Sequence, residues 1–218
     1  LSRSERNDPD YVLGQIATGE GLAEAVKDIE VILHLASHPT QAKTVDVEGA
    51  RRLIEHGRKG NLKHFIYMSI VGVDKHPFAY YKQKYAAEQV VAQSGVPYTI
   101  YRATQFFPFI KLILSMFLRF HIVPRGWRFQ PISVEEAAQG LVEIVEKGPV
   151  NGIVNKTGPK VYTINELIDI WEDVDGKRRR YVSLPIPGGA SRGFRKGLHT
   201  IPEQQDGKVT WREYLESA

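Results

Sequence analysis

The sequence predicts an α/β protein built on a parallel sheet with helices on both faces, and three observations carry that prediction. Apolar runs too continuous for a half-exposed strand recur in the first half, "IEVILHLAS" from Ile29 and "HFIYMSI" from His64 foremost; such runs mark strands covered on both sides. Amphipathic segments of about ten to fifteen residues separate them, the length of a crossover helix. With 218 residues, 42% hydrophobic and 25% charged, the chain is long enough to bury a core as one structural unit.

In chain order, "LAEAVKD" (22–28) reads as a short helix before the first strand (29–36). Val47, Ala50, Leu53 and Ile54 recur at spacings of three and four, so 45–58 forms an amphipathic helix that ends at Gly57 or Gly60. The second strand (65–71) follows, then a helix from Tyr80 to Gln93 closed by Ser94-Gly95, and a third strand from Pro97 to Ala103. Beyond it the alternation loosens into an apolar helix (108–120), an extended "WRFQPI", a helix 134–147, an extended "GIVNKTG", a helix 164–172 and a Pro/Gly-rich stretch 185–197. Residues 1–104 thus read as the sheet core, and 105–218 as a segment that completes the sheet and forms a small C-terminal cap. "GGASRGFRKG" (188–197) lacks the Lys-Ser/Thr pair of a phosphate loop and reads as a flexible loop.

Composition excludes several classes. There is no cysteine, so disulfides and thiolate metal sites play no part, and a cytoplasmic setting is the expectation. The seven histidines form no H-E-x-x-H pattern, so no metal site is expected. A net charge of +4 with one short cluster, "KRRR" at 177–180, reads as a solvated loop rather than a nucleic-acid surface. The apolar stretch 106–123 is interrupted by Pro108, Lys111, Arg119 and His121 and falls short of a membrane span. His34 reads as a satisfied core residue, and Asp46 and Glu48 as acids favoured at the positive end of a helix.

Chemistry concentrates where strands end. In an open parallel sheet, ligands bind beyond the carboxyl ends of the strands; these ends bring Leu35-Ala36-Ser37, Ser69 and Thr104-Gln105 toward one crevice. In "YYKQKYAAEQ" (80–89), Lys84 follows Tyr80 by one helical turn. A carbonyl reduced by hydride needs a proton on its oxygen, and a phenol can supply it if a neighbouring cation tunes its acidity; Ser69 would hold the carbonyl oxygen. The same Tyr-x-x-x-Lys arises in ordinary surface helices, and in another register Tyr81 or Lys82 would point inward. Only Tyr80 and Lys84 have the i, i+4 spacing, because Tyr85 stands four residues after Tyr81.

"IEVILHLAS", "VDVEGARRLIEHGRKGNLKHFIYMSIVGVD" and "YYKQKYAAEQVVAQSGVPYTIYRATQF", in that order, resemble the atypical short-chain dehydrogenase/reductases of the NmrA-like NAD(P)H-binding group, which are related to sugar-nucleotide epimerases. The resemblance implies a Rossmann-like sheet, a bound dinucleotide, and catalytic Ser69, Tyr80 and Lys84, with Lys84 also on the nicotinamide ribose. It implies Leu35, Ala36 and Ser37 along the adenine-ribose path, Gln15 and Ile16 near the adenine, and Thr104 and Gln105 near the nicotinamide. Arg3 is the candidate for the 2′-phosphate, which makes NADP(H) the preferred cofactor and NAD(H) the alternative. The aromatic helix 109–120 is either core or, with Phe106, Phe107 and Trp127, the wall of an apolar substrate pocket.

The expected function is reduction of a small apolar carbonyl or quinone-like compound; the alternatives are a non-catalytic NADP(H) sensor and a sugar-nucleotide epimerase or dehydratase using Arg192, Arg195 and Lys196. Helices 45–58 and 80–93 could pair with their copies in a homodimer, and a monomer is the other expectation. The family's G-x-x-G-x-x-G turn is absent from the sequence, and Leu1-Ser2-Arg3 resembles the tail of a second strand. The expectation is therefore an N-terminally truncated Rossmann unit without its phosphate cradle. Titration calorimetry with NADPH is expected to give weak or no binding to this chain and firm binding to one extended upstream; equal affinities would refute it.

Overall fold

The computed structural model describes residues 1–5, 7, 8 and 10–217, and the β-branched and aromatic runs become its strands. The elements are α1 (Leu22–Ala25), β1 (Val31–His34), a π-helical stretch Lys43–Glu48 running into α2 (Gly49–Gly57), β2 (His64–Ile70), α3 (Ala79–Ala92) and β3 (Tyr98–Ala103). There follow α4 (Phe107–Arg119), β4 (Ile122–Pro124), β5 (Arg128–Phe129), α5 (Val134–Lys147), β6 (Gly152–Lys156), β7 (Tyr162–Thr163), α6 (Ile164–Asp175), β8 (Val182–Leu184), α7 (Gly189–Lys196) and α8 (Trp211–Glu216).

Four strands form one sheet in the order β1-β2-β3-β6. Strand β1 pairs in parallel with β2, Val31 opposite His64 through His34 opposite Tyr67. Parallel neighbours need a crossover, and α2 supplies it here. Strand β2 buries Phe65, Ile66 and Tyr67 completely, as its unbroken apolar run requires.

The chain divides into two compact units, residues 1–69, 79–101 and 143–154 in one, and 70–78, 102–142 and 155–218 in the other. The first packs Leu22, Ile32, Ala50, Leu53, Phe65, Tyr67, Ala87 and Val91 into one core. The second gathers Phe107, Ile110, Leu114, Phe129, Ile164, Leu167 and Trp211. In it α6 begins at a reciprocal cap, Thr163 accepting from the Glu166 backbone while the Glu166 side chain accepts from that of Thr163.

Three features depart from the expectation: β1, read as covered on both sides, alternates instead, with Leu33 exposed between the buried Ile32 and His34. The glycine-rich stretch 188–197 is not a loop but contains α7. Its glycines permit close approach: a Cβ on Gly193 would meet His76 Nε2 at 2.5 Å, and Gly197 ends the helix in the left-handed region at φ 65°. The parallel pair β4–β8 was also not foreseen, since three-residue strands leave almost no periodic signal.

Buried histidines mark both units. His34 lies beside the rings of Phe65 and Tyr67, and His199 lies 4.9 Å from the Phe194 ring centroid. Neither ring nitrogen of either residue makes a hydrogen bond of good geometry among the described residues, although backbone groups of Asp46 and Val45 lie near His34 and that of Arg128 near His199. Burial pushes the His34 imidazole down to about 4, with the Lys84 charge adding to it, and burial likewise pushes His199 down to about 3, with His76 adding to it. As pH falls below about 6.5 the unfolded chain takes up these protons while the fold does not. Stability is therefore full above that value and is lost progressively as pH falls toward about 4 and 3. Urea unfolding from pH 7 to 5 is expected to show declining stability, with a shallower decline in His199→Phe; identical slopes would contradict it.

Candidate functional site

The first unit gathers its polar interior at the carboxyl ends of β1 and β2. The core-facing residues of α3 are Tyr81, Lys84, Ala87, Glu88 and Val91, so its buried stripe carries two ionisable side chains. The π-helical stretch before α2 buries Asp46 next to Val47; such helical irregularities recur at functional sites.

Asp46 is fully buried and receives three donors. Lys84 Nζ reaches Oδ1 at 2.9 Å, the Tyr67 hydroxyl donates to Oδ1 at 3.0 Å, and Ser37 Oγ donates to Oδ2 at 3.0 Å. Lys84 also donates to the Met68 carbonyl at 2.5 Å, and its ammonium stands 4.3 Å from the Tyr67 ring centroid. Because the Ser37 proton goes to Asp46, the 2.7 Å contact between Ser37 Oγ and the Tyr80 hydroxyl is completed by the phenol donating. A chain of polar contacts thus runs Tyr80, Ser37, Asp46, Lys84. Its exposed member is Ser37, and Tyr80 is half-buried, so these two can meet a ligand.

The expected role for Asp46, a helix-dipole acid alone, is therefore incomplete: it is the partner of the buried lysine. Glu88, also missed, accepts from the Ser69 hydroxyl at 2.5 Å, with both residues buried. Either acid could have been found from its position, Asp46 inside the apolar "TVDVEGA" and Glu88 one turn beyond Lys84.

The electrostatics follow from burial. The Tyr80 phenol lies above its ordinary value, first because burial disfavours phenolate and also because the Asp46 charge stands near it. The expected tuning of Tyr80 downward by Lys84 is thus not what the site does in this state. Burial also lowers the Lys84 ammonium, although the Asp46 and Glu88 charges act the other way. Tyr67 is held well above its usual range by burial and then by Asp46. Tyr81, the other register's candidate, is buried.

The remaining predicted residues lie as follows. Leu35 and Ala36 are exposed beyond β1. Arg3 and Gln15 are exposed and Ile16 half-buried; Ser2 bridges Leu13, and the Ile16 carbonyl accepts from Arg52 at 3.2 Å. In the second unit, the Thr104 hydroxyl accepts from the Gly158 N–H at 3.0 Å, and the Gln105 amide donates to the His199 carbonyl at 3.1 Å. Both are buried, Phe107 is core stacked on Tyr214, and the half-buried Trp127 stacks on Phe194, with Phe106 half-buried. No group of three or more histidines and acids suited to a metal occurs among the described residues.

Comparison with known proteins accords with this fold. Residues 2–107 match the NAD(P)H-binding family model. The chain is 26% identical over 203 residues to an NmrA-like family domain-containing oxidoreductase of Aspergillus flavus, covering 84% of this chain and 65% of that protein. It is 25% identical over 177 residues to the mitochondrial NADH-ubiquinone oxidoreductase 40 kDa subunit of Neurospora crassa, covering 76% of this chain and 47% of that one. The chain thus spans about half to two thirds of the length of these relatives. Among solved structures, an NADPH-dependent quinone oxidoreductase of Escherichia coli in complex with NADPH superposes with a TM-score of 0.78 at 18% identity, over 94% of this chain and 82% of that one. A nucleoside-diphosphate-sugar epimerase of Staphylococcus aureus gives a TM-score of 0.74 at 18% identity, over 93% and 81%. The fold is a Rossmann-like parallel sheet with helices, residues 2–107 match an NAD(P)H-binding domain, and the chain is similar to an NmrA-like oxidoreductase.

Removing one partner of a buried ion pair leaves the other uncompensated, which costs about 3–5 kcal/mol. Asp46→Ala is expected to lose stability of that order in urea unfolding, whereas half-buried Glu48→Ala, whose partner Arg51 is exposed, is expected to change it by less than about 1 kcal/mol. Equal small losses would contradict the role of Asp46.

Proposed function

We propose that this protein is an NADPH-preferring oxidoreductase that reduces a small apolar carbonyl or quinone-like compound, with Tyr80 as proton donor. The observation that carries the proposal is the hydrogen-bonded chain from Tyr80 through Ser37 to Asp46 and Lys84. The residues fit the ribose and nicotinamide side of a dinucleotide: two hydroxyls and a buried ammonium converge beyond β1, where Leu35 and Ala36 leave the strand end open. The exposed guanidinium of Arg3 favours a 2′-phosphate and hence NADPH.

When bound, the reduced dinucleotide supplies the electron pair and the hydrogen added to the acceptor. The protein supplies the other proton. The Tyr80 hydroxyl turns from Ser37 to the acceptor oxygen and gives up its proton, so a carbonyl becomes an alcohol or a quinone a hydroquinone. Ser37, exposed, then returns a proton to the phenolate and regains its own from solvent. Lys84, pinned by Asp46 and the Met68 carbonyl, holds a fixed positive charge near the developing anion without moving to reach it. Glu88 fixes the Ser69 hydroxyl, which accounts for a buried carboxyl on the same helix face as Lys84.

In a form of the protein that binds NADPH firmly, NADPH oxidation over a panel of quinones and aldehydes is expected to show turnover that falls about 10²–10⁴-fold in Tyr80→Phe, with dinucleotide binding retained and a smaller loss in Ser37→Ala. Binding without turnover in the unaltered protein would favour a cofactor sensor, and saturable UDP-sugar binding an epimerase. Because the Tyr80 phenol lies above 10, reduction is expected to stay level from about pH 7 to 9. A decline within that window would contradict the assignment of proton donor.

A further inference from the structure

We propose that the solvent face of α4, together with the β4–β8 pair, is a docking surface for an anionic lipid bilayer. Helix α4 is apolar on both sides. Phe107, Ile110 and Leu114 face the core of the second unit. On the outer side Phe109, Leu112, Met116 and Phe120 follow at spacings of three and four and are 48%, 58%, 54% and 72% exposed. Beyond the helix, Ile122 is paired in register with Val182 and Pro124 with Leu184, and Ile122, Val182 and Leu184 are exposed too. Scattered exposed apolar residues are ordinary; a continuous row of large ones marks an interaction site.

Charge identifies the occupant. No aspartate or glutamate lies between Glu88 and Glu135, while Lys111, Arg119, His121, Arg125 and Arg128 all do. Arg119 is exposed on the same face as Met116 and Phe120. His121 Nδ1 meets the Arg180 carbonyl at 2.7 Å, which joins the "KRRR" segment to the start of β4. The acids nearest to that segment are engaged, Glu172 with Arg178 and Asp175 with Arg179. An apolar row flanked by Lys111, Arg119 and Arg125, with Glu172 and Asp175 already paired to Arg178 and Arg179, matches the depth profile of an anionic membrane surface, with aromatic and aliphatic side chains among the acyl chains and Lys/Arg at the headgroups. A second copy docking through a two-fold axis would set this cationic rim against itself, which disfavours self-association. No helix among the described residues is long and apolar enough to cross a bilayer, so the helix lies on the surface.

Co-sedimentation with vesicles of phosphatidylglycerol and phosphatidylcholine in equal parts, against phosphatidylcholine alone, tests the proposal. The protein is expected to bind the anionic vesicles at least about tenfold more tightly, to release several-fold in high salt, and to lose binding in Met116→Asp/Phe120→Asp with its circular dichroism unchanged. Should that variant misfold, the conservative Phe120→Trp reports instead through a blue shift of its emission on anionic vesicles. Equal binding to both vesicle types, no binding, no blue shift, or a dimer in light scattering that the double substitution dissolves would each overturn the proposal.

Discussion

A single buried carboxylate organises the site. Asp46 has no access to water and holds Lys84, Tyr67 and Ser37 at hydrogen-bond distance. Left alone, either the carboxylate or the ammonium would be costly in the interior, since taking an isolated ion from water costs several kcal/mol. Together they are tolerated, and each fixes the other. The consequence reaches the surface, because Asp46 also accepts the Ser37 hydrogen bond and so sets the direction of the one between Ser37 and Tyr80. An acid at the start of a helix thus decides the protonation pattern at the mouth of the crevice.

This arrangement changes what the tyrosine and lysine can be said to do. A cation beside a phenol would ordinarily lower its pKa, but here Lys84 is paired with Asp46, and burial together with the Asp46 charge raises the Tyr80 phenol. Tyr80 is therefore an acid kept in its protonated form. That suits a group asked to give up a proton during reduction, and it places the contribution of Lys84 in a fixed electrostatic field rather than in the ionisation of its neighbour. The two readings differ in their dependence on pH and not in the residues involved.

Much of the first unit was legible in the sequence. The continuous apolar runs became β1 and β2, and the helix expected from Tyr80 to Gln93 is Ala79–Ala92. The order of Ser69, Tyr80 and Lys84 along strand end and helix could be read because strands and helices have fixed periods. Asp46 and Glu88 were not legible as a network, since their partners lie 38 and 19 residues away, and only the fold shows which acids turn inward. In the second unit, glycines that signal loops are present for another reason: Gly193 lies against the His76 ring inside a helix. The aromatic helix posed the opposite difficulty. Its residues are apolar all round, so periodicity could not tell the core face from the outer one, and α4 turned out to present both.

The claim that Asp46 and Lys84 act as one unit is tested most directly by a double-mutant cycle in urea unfolding, using Asp46→Ala, Lys84→Met and the two combined. The account predicts strong coupling, with the double variant less destabilised than the sum of the single ones by about 2 kcal/mol or more. Additive losses would mean that the pair is two independent buried charges and would contradict the central role given to Asp46.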